Sequence, residues 1–208
     1  MAHPSAPDLA RRLEGLNIYL VGMMGTGKSA VARPLAAALG YRSIDADAVL
    51  EQAAGRSIPE IFASDGEPAF RSLETAVLGQ ICSWHSLVVA TGGGVVTQPA
   101  NWGHMRQGVV VWLDAPNDLL LARLQGDSTE RPLLQTQDPA ARLAVLLADR
   151  QPLYAQADLH IRQQGESPEA VAQQVLEALP AILKERPEAP AAPVLLETDD
   201  GTITQSLN

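Results

Sequence analysis

"GMMGTGKS", residues 22–29, directly follows the apolar run "LNIYLV" (16–21), and the reading of this junction decides the fold. The spacing G-x-x-x-x-G-K-[ST] has a physical reason at each fixed letter. Gly22 and Gly27 allow a loop tight enough to aim several backbone N–H groups at one anion, which makes a phosphate cradle. Lys28 adds a point charge for the outer phosphates, and Ser29 offers a hydroxyl to Mg²⁺. The helix that opens there presents its positive dipole end to the same place. The flanks agree: "NIYLV" reads as a buried strand, and "SAVARPLAAALG" (29–40) as an Ala/Leu-rich helix closed by Gly40, with a kink expected at Pro34.

Working outward, strand-like and helix-like segments alternate. "YRSID" (41–45), "SLVVA" (86–90), "GVVVWLD" (108–114) and "DLHIR" (158–162) are further strands. Between and after them lie helical patterns at "FRSLETAVLGQI", "NDLLLARLQ", "PAARLAVLLADRQPLYAQA" and "SPEAVAQQVLEALPAILKE". Ahead of the first strand, "PDLARRLEGL" reads as a short helix with Asp8 as its N-cap. Alternating β and α with short connections predicts an α/β fold, a parallel sheet covered by helices on both faces, with ligands at the carboxyl ends of the strands. We expect one domain over residues 1–184. The last 24 residues, "ERPEAPAAPVLLETDDGTITQSLN", carry five acids against one arginine and read as a flexible extension, although "VLLETDDGTITQ" has the content of a strand that docks on an edge.

A chain of 208 residues with 46% hydrophobic content can bury a proper core, and its net charge of −9 argues against a general nucleic-acid binder. In so acidic a chain, arginines near a motif become informative. A lone Cys82 excludes an internal disulfide, and His3, His85, His104 and His160 show no metal-ligand spacing. Without a long apolar run or a signal-like start, we expect a cytoplasmic protein with no membrane partner.

The strand tails supply the chemistry. Asp45 and Asp47 are two residues apart, so on an extended chain both face the loop end of the sheet. One could orient Mg²⁺ through water while the other holds a substrate hydroxyl; an acidic turn with Asp47 capping the helix "AVLEQAA" reads the same residues otherwise. "LVVA" runs into Thr91-Gly92-Gly93-Gly94, where backbone can approach a ligand closely, and no carboxylate ends that strand. Arg71, read as standing at a helix start, suggests an anion partner, since a cation opposes the dipole there. Arg150 lies near the end of a long helix. "RLQGDSTERPLL" (123–134) offers Arg131 on a polar segment suited to a closing lid, although a plain surface loop would look similar.

In this order and with similar intervals, "GMMGTGKS", "IDADAVLEQAAGRSIPEIFASDGEPAFRSLE", "VVATGGGVV", "RPLL" and "DRQPLY" resemble shikimate kinase over roughly residues 15–175. The resemblance implies a three-layer α/β/α P-loop kinase fold with five parallel strands in the order 2-3-1-4-5. It implies a substrate-binding segment at about 45–75 and a mobile lid at about 124–135. It also implies transfer of the ATP γ-phosphoryl to the 3-hydroxyl of shikimate with Mg²⁺, in aromatic amino acid biosynthesis, by a monomer. Gly25, Thr26, Gly27, Lys28, Ser29 and Ala30 would hold the ATP phosphates, with Ser29 on the metal directly and Asp45 through water. Asp47 would take the shikimate hydroxyls, Arg71 and Arg150 its carboxylate, and Gly92, Gly93 and Gly94 its ring hydroxyls. Arg131 would be the lid arginine and Arg123 would stack on adenine, with Arg162 and Pro168 at its other face. Asp127 and Glu130 make the lid more acidic than many relatives, and the Pro-rich extension lies outside the family core. A gluconate kinase would explain the P-loop and lid equally well; a binding protein that had kept only the fold should have lost Lys28, Asp47, Arg71 or Arg131, and none is lost.

Overall fold

The computed structural model describes residues 5–127, 131–184, 195–197 and 203–205. In chain order it contains α1 (Ala6–Leu13), β1 (Ile18–Val21), α2 (Lys28–Leu39), β2 (Arg42–Asp45), α3 (Ala46–Ala54), α4 (Ile58–Ile81) and β3 (Leu87–Ala90). Then come α5 (Pro99–Met105), β4 (Val109–Asp114), α6 (Asn117–Gln125), α7 (Pro139–Tyr154), β5 (Leu159–Arg162) and α8 (Pro168–Ala178). Strands β6 (Leu195–Glu197) and β7 (Ile203–Gln205) follow.

The five main strands form one parallel sheet in the order β2-β3-β1-β4-β5, the order the family resemblance implies. Why the sheet is sandwiched follows from its side chains. Along β1, Ile18 and Leu20 join one core while Tyr19 and Val21 join the other. β3 and β4 alternate likewise, Val88 and Val111 on the first side and Val89 and Trp112 on the second. With both pleat faces apolar, water has to be excluded from both, so α1, α2 and α8 cover the first and α3, α4 and α5 the second.

Helix ends account for most differences from the sequence reading. α1 is capped by Ser5, not Asp8; Asp8 is the third helical residue and returns a bond to the Ser5 backbone, a reciprocal capping box. α2 runs through Pro34 without interruption, because the carbonyl deprived of its donor belongs to exposed Ala30, within reach of water. Asp47 is not on an extended strand and does not cap α3. Asp45 is the cap, accepting from the Asp47 and Ala48 amides, and Asp47 sits in the first helical turn. Arg71 does lie near a helix start, in the second segment of α4, a helix that is broken shortly before it. α4 begins at a Ser57–Glu60 capping box and is interrupted at Gly66, whose φ of 80° and ψ of 172° break the helix five residues earlier. β6 and β7 pair with each other, antiparallel, and form a separate sheet instead of docking on the edge of the main one. Residues 185–194 of the expected flexible extension, and 128–130 of the expected lid, lie outside the described residues. No helix among the described residues is long and apolar enough to cross a membrane.

Leu20 is fully buried at the centre of the sheet. Leu20→Ala is expected to lower stability by about 3 kcal/mol, read as a lower urea midpoint at unchanged slope.

Candidate active site

Two cavities open at the carboxyl ends of the strands. One, of about 360 Å³, is lined by Gly25, Gly27, Lys28, Ser29, Ala30, Asp45 and Arg123. The other, of about 450 Å³, is lined by Ile58, Phe62, Phe70, Arg71, Glu74, Gly92, Gly94 and Arg150 among others. Four residues line both: Met24, Asp47, Gly93 and Arg131. The cavities therefore meet at a carboxylate and a guanidinium.

The first cavity is built by the loop between β1 and α2. Gly27 adopts φ 81°, a left-handed conformation that turns the chain into the helix. Lys28 folds back over the loop, donating to the Gly22 carbonyl at 2.8 Å and that of Met23 at 3.0 Å. Burial lowers its pKa to about 8 against the opposing pull of Asp47 and Asp45. One of its three donors remains for a phosphate oxygen. The Ser29 hydroxyl donates to Asp45 at 2.5 Å, so a hydroxyl and a carboxylate 16 residues apart share one spot beside the helix N-terminus. This pair of hard oxygen donors fits Mg²⁺, which is commonly bound through few protein ligands plus phosphates and water. Among the described residues no group of three or more His, Cys, Asp or Glu could hold a metal. The Thr26 hydroxyl is turned inward to the Met23 carbonyl. Arg123 spans from the Gly25 carbonyl at 3.2 Å to Gln163 at 3.3 Å, and buried Gln163 donates to Thr26 at 2.9 Å, clamping the loop from the β5 side. Arg162 lines a neighbouring cavity with Asp114, Asn117 and Gln164, whereas Pro168 opens α8 and lines none of these cavities.

The second cavity concentrates charge. Arg71 is buried and donates to Glu74 at 2.8 Å and to Glu67 at 2.9 Å, so its anion partners are on its own helix. Burial works against both charges of the Arg71–Glu74 pair. The two carboxylates overcome it for Arg71, whose pKa is raised, while burial prevails for Glu74, which is also raised. Arg150 is only 5% exposed and its Nη1 has no hydrogen-bond partner among the described residues. An unsatisfied buried guanidinium nitrogen in a cavity wall is suited to an anionic ligand. Asp47 has its pKa pushed up to about 6, chiefly by burial, with Asp45 and Glu74 adding and Lys28 opposing. Arg131 is paired with Asp127 at 2.7 Å.

The glycine triplet serves space here, not dihedral freedom. A Cβ on Gly92 would stand 2.8 Å from both Asp47 Oδ1 and Glu74 Oε1, and one on Gly94 would collide with the Arg71 guanidinium. These side chains lie directly on the glycine backbone. The sequence reading missed Glu74, Gln163 and Tyr154, whose hydroxyl donates to the Gly93 carbonyl at 2.5 Å. Glu74 had one usable signal, its i,i+3 spacing from Arg71.

A sequence family described as shikimate kinase matches residues 24–180. The chain is 59% identical over 193 residues to a shikimate kinase of Synechococcus sp. (strain RCC307), covering 92% of this chain and 97% of that one. A solved shikimate kinase from Acinetobacter baumannii in complex with shikimate superposes with a TM-score of 0.79 at 40% identity, covering 83% of this chain and 97% of that one. A gluconokinase from Sinorhizobium meliloti 1021 gives a TM-score of 0.55 at 17% identity over 81% and 94% of the two chains, a likeness of fold alone.

Glu74→Ala would leave the buried Arg71 charge with half-exposed Glu67 as its nearest anion. A loss of about 3 kcal/mol in unfolding free energy is expected, measurable by denaturant titration.

Proposed function

The chain belongs to the shikimate kinase family, and we propose that its two joined cavities carry out that reaction, with ATP in the loop cavity and shikimate beside Arg71 and Arg150. The γ-phosphoryl of ATP passes to the 3-hydroxyl of shikimate, giving shikimate 3-phosphate and ADP. The observation that carries this assignment of cavities is their junction at Asp47 and Arg131, where a donor and an acceptor would face each other.

Loose phosphoryl transfer asks mainly for alignment and for charge neutralisation. Lys28, the loop amides and Arg131 meet the phosphate charge. Arg71 and Arg150 hold the planar carboxylate of shikimate from two sides and so fix which hydroxyl points at the junction. Asp47 accepts the 3-hydroxyl hydrogen bond and takes its proton as the new P–O bond forms. The free amides of the glycine triplet meet the remaining ring hydroxyls. Ser29, with Asp45 acting through water, would hold Mg²⁺, which would supply positive charge against the phosphates. Arg123 and Arg162 flank the adenine. We take residues 1–184 as the kinase domain, acting as a cytoplasmic monomer.

Lys28→Ala and Arg131→Ala are expected to lower turnover by about 10²- to 10⁴-fold with the fold intact, and Arg71→Ala to act mainly on the KM for shikimate. A coupled ADP-release assay comparing shikimate with gluconate tests the assignment: release with gluconate alone, or full turnover in Lys28→Ala, contradicts it.

The pH profile provides a separate check. Asp47 must be ionised to act as a base, so kcat/KM for shikimate should fall as pH drops through about 6. Lys28 must be charged, so kcat/KM for ATP should fall as pH rises through about 8. Asp47→Asn should remove the acid limb along with most of the activity.

A further inference from the structure

We infer that Tyr154 is a positioning residue for the shikimate cavity, holding the Gly93–Gly94 peptide so that the Gly94 N–H faces the substrate. This rests on the reading of that cavity as the shikimate site.

Tyr154 is the last residue of α7, fully buried, and it lies one turn beyond Arg150. Its ring is stacked against Trp112 of β4 at 5.9 Å between centroids, so the side chain enters the glycine loop from the core side. There its hydroxyl donates to the Gly93 carbonyl at 2.5 Å. In a trans peptide the C=O and the following N–H point in opposite directions. A Gly93 carbonyl drawn toward the core therefore turns the Gly94 N–H toward the open side, where Gly94 lines the cavity. Among the described residues neither the Gly93 nor the Gly94 amide donates to another group, whereas the next amide, that of Val95, bonds to Gly92.

Among the described residues this is the one hydrogen bond made by the Gly93–Gly94 peptide, the neighbouring peptides being held by Val95 and Thr97. Three glycines in a row carry no side chains to fix their orientation, and without the hydroxyl the carbonyl is free to rotate toward the cavity and present an acceptor where a donor is needed. The hydroxyl is a dependable donor: burial pushes its pKa up to about 12, against the opposing effect of the adjoining Arg150, so it stays protonated wherever the enzyme works. Tyr154 thus couples the position of Arg150 on α7 to the amide that completes the same binding face. Tyr154→Phe keeps the ring and its stack and removes this bond together with the hydroxyl's contact with Arg150.

The test is thermal denaturation of wild type and Tyr154→Phe, alone, with shikimate and with Mg-ADP, together with steady-state KM values. The expected result is a Tyr154→Phe protein whose KM for shikimate is raised about tenfold and whose shikimate-induced shift is largely lost, with the KM for ATP and the ADP-induced shift unchanged. An unchanged shikimate KM would overturn the inference. So would equal loss of both ligand shifts, or failure of the variant to fold, either of which would make Tyr154 a general support. If shikimate fails to shift even the wild type, the reading of the cavity fails and not the role of the tyrosine within it.

Discussion

Charge cannot be buried unpaired, and the cleft at the strand ends buries Lys28, Arg71, Glu74 and Arg150 within a chain of net charge −9. The rest of the site depends on how these charges are balanced. Arg71 is neutralised by Glu74 and Glu67, and Lys28 is held by two loop carbonyls and attracted by Asp47 and Asp45. Among the described residues Arg150 keeps one nitrogen, and Glu74 one oxygen, without a hydrogen-bond partner. The balance is therefore left open at two cations, Arg150 and Lys28, whose remaining donors are available to anions. A carboxylate at Arg150 and phosphates at Lys28 would complete it.

Packing and electrostatics meet in the glycine triplet. Asp47, Glu74 and Arg71 can lie this close together because the backbone beneath them has no Cβ to hold them off. The same triplet separates and joins the two cavities, Gly93 lining both. A strand end made of glycine is weakly determined on its own, which is why neighbouring elements have to fix it: the Thr97 hydroxyl bonds to the Gly94 carbonyl and Tyr154 to that of Gly93. Flexibility in the sequence at this point is compensated by tertiary contacts.

β1, β3 and β4 were legible because each is a short apolar run between turn residues, β2 and β5, which are half polar, by their place in the alternation with helices, and the loop before α2 because its spacing is fixed by phosphate geometry. Their order needed the family resemblance. Helix ends were less legible: Ser5 against Asp8, and Asp45 against Asp47, are choices between neighbouring capping residues that the local sequence permits equally. α5 and the first half of α4 were missed, since "PANWGHM" is too short for a helical period and "IPEIFASD" is cut off by Gly66. Within the site, the motif residues stood out by spacing, whereas Gln163 and Tyr154 act through contacts 137 and 61 residues away and leave no local trace.

The central claim is that a small hydroxylated carboxylate and a nucleotide occupy the two cavities and meet at Asp47. A crystal structure with Mg-ADP and shikimate bound together addresses it most directly. The account predicts the shikimate carboxylate on Arg71 and Arg150, a ring hydroxyl on Asp47, and that hydroxyl turned toward the β-phosphate held over Lys28. Shikimate bound with its carboxylate at Lys28, or outside the cavity of Arg71 and Arg150, would contradict it.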